Sequence, residues 1–382
     1  MSNNKKYNVL FIYTDTEFGG GGRFFGQVIR GLTPRGFRFV VACRQNAPIK
    51  NFYDKNGIKT IPFEVKNRFD IINMIKFCLG IKKYNFEIVC LGDATAWTTG
   101  IFISLFSDVK AIIPIVHGIH IGIGKKCSFL EKIVFKYWDR LWAHCANKII
   151  VSSKRTLDLL VKEGVDSSKI EVIYNFPDNI DLEFNHSLIR KTTLEEYGIN
   201  KEKRIIGILA RLSYEKGIDI FIKSIPKITN SYSNCHFLIV GDGPERKNLE
   251  ELVKNLSIEN YVTFTGFIEN PYKFLSAIDI VVLSSLFEGI PNIILESMAF
   301  GKTIVSSNCG SISEMIIDNK TGILIPPRNP EKLAEGIIKL FNDESLCKKL
   351  SKNAKIFVSE KLTKKRMWDR FEKLFLEYKK NY

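Results

Sequence analysis

The stretch Phe287–Gly301, FEGIPNIILESMAFG, carries two glutamates eight positions apart, with a glycine and a proline shortly after the first. On one helix Glu288 and Glu296 would lie near the same face, but Gly289 and Pro291 start a helix between them instead of letting one run through. Glu288 therefore falls in a loop. Pro291 suits the first helical position, so the spacing predicts a helix over 292–300 with Glu296 in its second turn. The carboxylates then flank a helix N-terminus whose backbone N–H groups, Ile290 to Ile293, favour bound phosphate. Carboxylates beside phosphate accept hydrogen bonds from hydroxyls. A ligand with an anionic middle and hydroxyl-bearing ends fits, and a nucleotide sugar has that layout. A solvated loop glutamate and a surface glutamate on an ordinary helix explain the same letters, so the neighbouring segments decide.

Outward from this stretch, short β-branched apolar runs alternate with helical periods in both halves of the chain, the pattern of parallel sheets covered by helices. Strands are expected near 9–14, 38–43, 88–91, 112–116 and 148–152, then near 204–210, 236–240, 261–265, 280–284, 303–307 and 323–325. The fold class is α/β, with two Rossmann-like doubly wound domains facing a central cleft. With 382 residues, two domains of ordinary size are expected: 1–178, and 188–364 after the polar, Pro-containing connection YNFPDNIDLEFNHS. The basic amphipathic helix at about 365–382 is expected to pack back on the first domain.

Composition narrows the partners. Hydrophobic content is 45% and charge 25%, ordinary for a globular protein. Eight cysteines (43, 78, 90, 127, 145, 235, 309, 347) show no CxxC spacing, against both a zinc site and a disulfide framework. No secretory pattern or membrane-spanning run appears, so the expected location is cytoplasmic, peripheral at most on the inner face of the plasma membrane. Of the net charge of +15, residues 1–175 hold 26 Lys+Arg against 14 Asp+Glu, and the remainder 30 against 27. The basic first half lacks any nucleic-acid-binding motif, which leaves an anionic membrane surface as the alternative. Lys125–Lys148 sets aromatic and apolar residues at helical spacing beside lysines, a stripe that fits a core helix or a membrane-facing one equally.

Four loops at strand ends carry the chemistry. In TEFGGGGRFFG, glycines between the first strand and a helix let a backbone approach a ligand or make a tight turn. Gly20, Gly22 and Gly26 miss the dinucleotide fingerprint by one position, and no acid closes the second strand, which disfavours NAD but leaves NADP open. In IPIVHGIHIGIG, His117 ends a strand and points into the cleft, as a donor or as a structural histidine. In GILARLSYEKG, Arg211 and Lys216 can converge on a diphosphate, unless Glu215 pairs with one of them. In IVGDGPERKN, Gly241 and Gly243 shape a tight turn with room for a flat base.

In this order, Arg211, Lys216, VGDGP, EGIPNIILE and the following GKTIVSSNCGSISEMIIDNKTG resemble glycosyltransferase family 4, retaining nucleotide-sugar transferases of the GT-B fold. The resemblance covers nearly the whole chain and implies a hexosyl or N-acetylhexosaminyl transferase, UDP-sugar favoured, acting in surface polysaccharide, lipopolysaccharide or glycan assembly on a glycan or lipid-linked acceptor. It implies that Glu288 holds sugar hydroxyls, Glu296 the ribose, and Arg211 and Lys216 the diphosphate. The amides of Gly289, Ile290, Pro291, Asn292 and Ile293 would line the phosphate and sugar, proline contributing only backbone. Gly20 and Gly21 would approach the phosphates or acceptor, His117 the sugar, and Phe267 the base. One departure is Asn175-Phe176-Pro177-Asp178, where the family commonly has Asn-Gly-Val-Asp. Asp-x-Asp is absent, so no metal cofactor is expected. The alternatives are a GT-B nucleotide-sugar epimerase and a non-catalytic nucleotide-sugar-binding subunit, with an NADP reductase behind both.

Overall fold

Short aliphatic runs become strands buried along their length: neither Ala111–Val116 nor Cys235–Val240 contains an exposed residue. Such strands occur in parallel sheets covered on both faces. A computed structural model describes residues 7–14, 20–117, 141–177, 186–268 and 272–380. It divides into two units, Met1–Asn175 with Lys364–Tyr382, and Phe176–Thr363.

The first unit holds β1 (Tyr7–Ile12), β2 (Phe37–Cys43), β3 (Thr60–Pro62), β4 (Ile88–Leu91), β5 (Ala111–Val116), β6 (Ile149–Val151) and β7 (Ile170–Val172). They pair in the order β3-β2-β1-β4-β5-β6-β7, all parallel. β3 (TIP) and β7 (IEV) are absent from the sequence expectation because threonine with proline, or glutamate, breaks the apolar run, whereas the equally short β6 (IIV) and Ile323–Ile325 (ILI) are wholly apolar. The second unit holds β8 (Arg204–Leu209), β9 (Cys235–Val240), β10 (Val262–Gly266), β11 (Ile280–Leu283), β12 (Thr303–Ser307) and β13 (Ile323–Ile325). Its order is β10-β9-β8-β11-β12-β13, again all parallel.

Both orders place a topological switch point. In the first unit the chain leaves β1 toward β2 and β3, then returns to lay β4 on the other side; in the second, β8 and β11 do the same. The loops after those strands diverge and open the crevice where doubly wound sheets bind ligands.

Each unit has its own core. In the second, Phe221, Ile225 and Ile228 of the Ile218–Ser231 helix meet Phe237, Ile239 and Val282 of the sheet. In the first, the Lys364–Lys380 helix packs on Gly20–Leu32. Trp368 donates Nε1–H to the carbonyl of Gln27 (3.1 Å), and Arg35 bridges Asp369 and Glu372 at 2.7 and 2.6 Å. Gly31 leaves room for the indole, since a Cβ there would stand 1.9 Å from Trp368.

Candidate functional site

At the switch point of the second unit, the loop after β8 carries Lys216 and the loop after β11 carries Glu288. Lys216 Nζ donates to Glu288 Oε1 at 2.7 Å, and Ser285 Oγ donates to the same oxygen at 2.8 Å. The Glu288 side chain is only 9% exposed and that of Lys216 24%. Oε1 is anchored twice, while Oε2 accepts no hydrogen bond from a described residue. The ammonium has three hydrogens and spends one on Glu288, so two can reach an anion.

The backbone locks the two loops together. Ser284 Oγ donates to the Lys216 carbonyl (3.2 Å) and Leu286 N–H to the Glu215 carbonyl (2.8 Å). Gly217 stands in the left-handed region (φ +57°), and a Cβ there would lie 2.4 Å from the Ser284 carbonyl oxygen. Gly310, beyond β12, also has positive φ (+55°), and its Cβ would lie 1.8 Å from the Glu288 carbonyl oxygen. Only glycine fits at either place. Cys309 Sγ donates to the Ser285 carbonyl at 3.2 Å. Ser285, Gly217 and Gly310 escaped the sequence reading. The letters EKG and NCG at strand ends were their only signal, and nothing in them shows which backbone lies opposite.

Other expectations take more specific form. Pro291 is the N-cap (φ −72°, ψ 126°) and not the first helical residue, so the helix runs Asn292–Ala299. Its extended backbone is the conformation an N-cap adopts. Gly289, Pro291, Asn292 and Ile293 are partly exposed around the start of this helix, and Ile290 is buried. Glu296 is not a surface residue but 5% exposed. Glu215 accepts from Ser213 Oγ at 2.5 Å. Burial pushes its carboxyl up, yet the Ser213 and backbone hydrogen bonds, with the charges of Lys216 and Arg211, hold it below the ordinary value. Arg211 is exposed just after β8.

Gly241 and Gly243 serve packing before any ligand. A Cβ at Gly241 would lie 2.0 Å from the Ala210 carbonyl oxygen, and one at Gly243 2.4 Å from that of Leu212. The two strand-end loops run backbone to backbone, with Leu212 N–H donating to the Asp242 carbonyl at 2.9 Å. Phe267, just beyond β10, is 75% exposed, a ring without cover on its own unit.

Gly20, Gly21 and His117 belong to the first unit. Gly20 opens the helix Gly20–Leu32, and a Cβ at Gly21 would come within 3.1 Å of the Tyr13 ring. Phe24 of that helix meets His117 edge-on, centroids 4.8 Å apart. His117 Nε2 is buried with no hydrogen-bond partner among the described residues, and burial lowers its pKa to about 4. Its imidazole is neutral near pH 7. Across the switch point of this sheet, Asp93 accepts from Thr14 N–H (2.5 Å) and Oγ1 (2.8 Å) and caps the next helix through Thr95 and Ala96 N–H. A pocket of about 290 Å³ lies at the ends of β2 and β3, lined by Arg44, Gln45, Asn46, Glu64 and Lys66 among others. His120 and most of the Lys125–Lys148 stripe lie outside the described residues, as does Asp178.

Two family models match successive parts of the chain: Glycosyltransferase Family 4 over residues 18–179, and Glycosyl transferases group 1 over residues 189–357. The alpha-D-kanosaminyltransferase of Streptomyces kanamyceticus is 31% identical over 42% of this chain and 42% of its own length. The UDP-Gal:alpha-D-GlcNAc-diphosphoundecaprenol alpha-1,3-galactosyltransferase of Escherichia coli is 24% identical over 84% of each. The chain spans about half the length of several curated relatives it matches, 52% and 49% for two glycosyltransferases of Methanocaldococcus jannaschii. Among solved structures, Anabaena Alr3699/HepE in complex with UDP superposes with a TM-score of 0.82 over 97% of this chain and all of its own, at 18% identity. The fold is that of the GT-B glycosyltransferases.

Proposed function

The chain belongs to glycosyltransferase family 4, and from that premise we propose that it moves a hexosyl or N-acetylhexosaminyl group from a nucleoside diphosphate sugar, UDP-sugar favoured, to a hydroxyl of a glycan or lipid-linked acceptor, with retention at the anomeric carbon. The observation that carries this reading is the Lys216–Glu288 pair at the switch point, anchored among the described residues through Glu288 Oε1.

In this mechanism Glu288 Oε2 accepts from a sugar hydroxyl, which fixes the sugar relative to the diphosphate. As the anomeric C–O bond breaks, negative charge grows on the leaving phosphate. Lys216, already oriented by Glu288, and Arg211 stabilise that charge together with the N-terminus of the Asn292–Ala299 helix. Such preorganised cations would supply the charge stabilisation that a metal supplies in other transferases, so activity is expected to need none. By the family resemblance, the acceptor attacks from the side the leaving group departs, and a phosphate oxygen takes its proton. Glu296 would hold the ribose, and Phe267 would lie against the base. His117, neutral and with Nε2 unpartnered among the described residues, would offer or accept one hydrogen bond near the sugar. The mixed-sign pocket at Arg44 and Lys66 suits a hydroxyl-rich, anionic acceptor.

The relatives favour a lipid-linked acceptor, since the Escherichia coli enzyme named above acts on a diphosphoundecaprenol-linked sugar. The test is nucleoside diphosphate release from a panel of nucleotide sugars in chelator, with and without membrane extract. Release from one donor, raised by extract and lost in Glu288→Ala, is the expected result. Full activity in Glu288→Ala sinks the assigned role, and binding without release from any donor turns the reading toward a non-catalytic sugar-nucleotide binder.

A further inference from the structure

We propose that the surface formed by residues 66–83 of the first unit docks on an anionic lipid bilayer. This deepens the reading of a lipid-linked acceptor and rests on it for its purpose.

The Ile71–Ile81 helix, IINMIKFCLGI, is apolar on two sides. Met74, Cys78 and Ile81, spaced four and three apart, are buried in the core of the unit. Ile72, Lys76 and Leu79, spaced four and three apart, define a second stripe at helical period, flanked by Phe69 before the helix and Lys83 after it. On that stripe Ile72 is 69% exposed and Leu79 54%, with the flanking Phe69 at 56% and Ile71 beside it at 43%. The outward stripe of a helix at a protein surface normally carries polar residues. Here Lys76 is the single charged residue among the eleven of the helix. Elsewhere among the described residues, exposed large apolar side chains come singly or in pairs.

The charge within residues 66–83 is mostly positive, with Glu64, Glu87 and Asp108 at its edges. Between residues 66 and 83 stand Lys66, Arg68, Lys76, Lys82 and Lys83, against Asp70 alone. That carboxylate is satisfied locally, by Lys66 N–H at 3.0 Å and Asn73 Nδ2 at 2.9 Å. Lys66, Lys76, Lys82 and Lys83 are exposed. The neighbouring Ala94–Phe106 helix packs on this one and ends in Leu105 and Phe106, 69% and 38% exposed. Lys82 and Lys110 line a pocket between the two helix ends together with Glu87 and Asp108, and Lys110 pairs with Glu87 at 3.6 Å, so Lys82 carries the positive charge left on that side.

Apolar side chains flanked by lysines are the chemistry of an interfacial helix, with the aliphatic groups in the headgroup boundary and the cations on lipid phosphates. An exposed helix is a ridge, which a protein partner must match with a groove and a bilayer need not. Among the described residues no helix is long and apolar enough to cross a membrane, so attachment through this face would be peripheral. The surface also continues into the acceptor-side pocket, since Lys66 lines that pocket and its carbonyl accepts from Arg44 Nη2 at 2.7 Å.

The test is sedimentation of the full chain with phosphatidylcholine vesicles, with and without phosphatidylglycerol. The expected result is binding to the anionic vesicles that falls at least about tenfold in Ile72→Glu/Leu79→Glu. Lys76→Glu/Lys82→Glu should lose binding comparably and shed its salt dependence. Ile356→Glu, at an exposed apolar position of the other unit, should bind as the parent, and unchanged melting temperatures would show that the variants fold. Parent-like binding by both double variants overturns the assignment, as does absence of parent binding to anionic vesicles. Transfer to a water-soluble glycan is measured in parallel. If it proceeds while vesicles are ignored, the docking surface falls and the transferase reading stands. If vesicle binding depends on Ile72 and Leu79 but no donor is ever turned over, the reverse holds.

Discussion

The two sheets reverse strand order at equivalent points and fill them with opposite chemistry. Between β8 and β11 a lysine and a glutamate meet at 2.7 Å with unused donors and a second carboxylate oxygen still unclaimed by the described residues. Between β1 and β4 Asp93 takes four hydrogen bonds, two from Thr14 and two from the first turn of its own helix. Burial raises the Asp93 carboxyl despite those bonds. One switch point keeps its charges available to a ligand; the other spends its charge on holding the loops in place. Equal topology therefore leaves different groups unspent: at these two pairs of loops only the second keeps ammonium hydrogens and a carboxylate oxygen unused by the described residues.

The sharpest way to break that contrast is Lys216→Met. It removes the cation between carboxylate and phosphate, and transfer should fall about 10²- to 10³-fold, with the melting temperature little changed. A fall of less than threefold would show that the pair is structural, like its counterpart. Next is Gly310→Ala, whose Cβ has no place beside the Glu288 carbonyl oxygen. It should cost about 1–3 kcal/mol of stability and lower kcat, because the Glu288 loop must shift; a variant stable and fully active would contradict the geometry.

Asp93→Ala should cost about 1–2 kcal/mol through the lost cap and the stranded Thr14 donors, read by denaturant melts, while the donor binding proposed for the second unit is unchanged. Loss of that binding would make the first switch point more than a brace. The smallest effect concerns pH. A histidine whose folded pKa is lowered to about 4 binds fewer protons than the unfolded chain between pH 4 and 6.5, so stability falls as pH drops through that window and is unaffected above it. His117 should thus add no step to the pH–rate profile between pH 7 and 8, and His117→Gln should flatten part of the acid loss in stability.

Much of the fold was legible. Uniformly apolar runs such as Ile88–Leu91 and Ile280–Leu283 fell where they were read, because strands buried on both faces need no partner information to be seen. The three-residue strands β3 and β7 were not, since their pairing to β2 and β6 is what makes them strands. The helix start near Pro291 was legible to within one residue, as proline restricts its own backbone whatever surrounds it.

Local chemistry in the sequence determined the alternation of strands and helices, the position of Glu288 in a loop and the cationic loop after β8. Only the tertiary structure decided that Lys216 and Glu288 are bonded partners, that Gly217 and Gly310 exist for the backbones opposite them, and that the outer face of Ile71–Ile81 is left apolar. The reason is range. Dihedral preferences and hydrophobic period act over a few residues, whereas a salt bridge across 72 positions or the clearance around a carbonyl depends on which strands become neighbours.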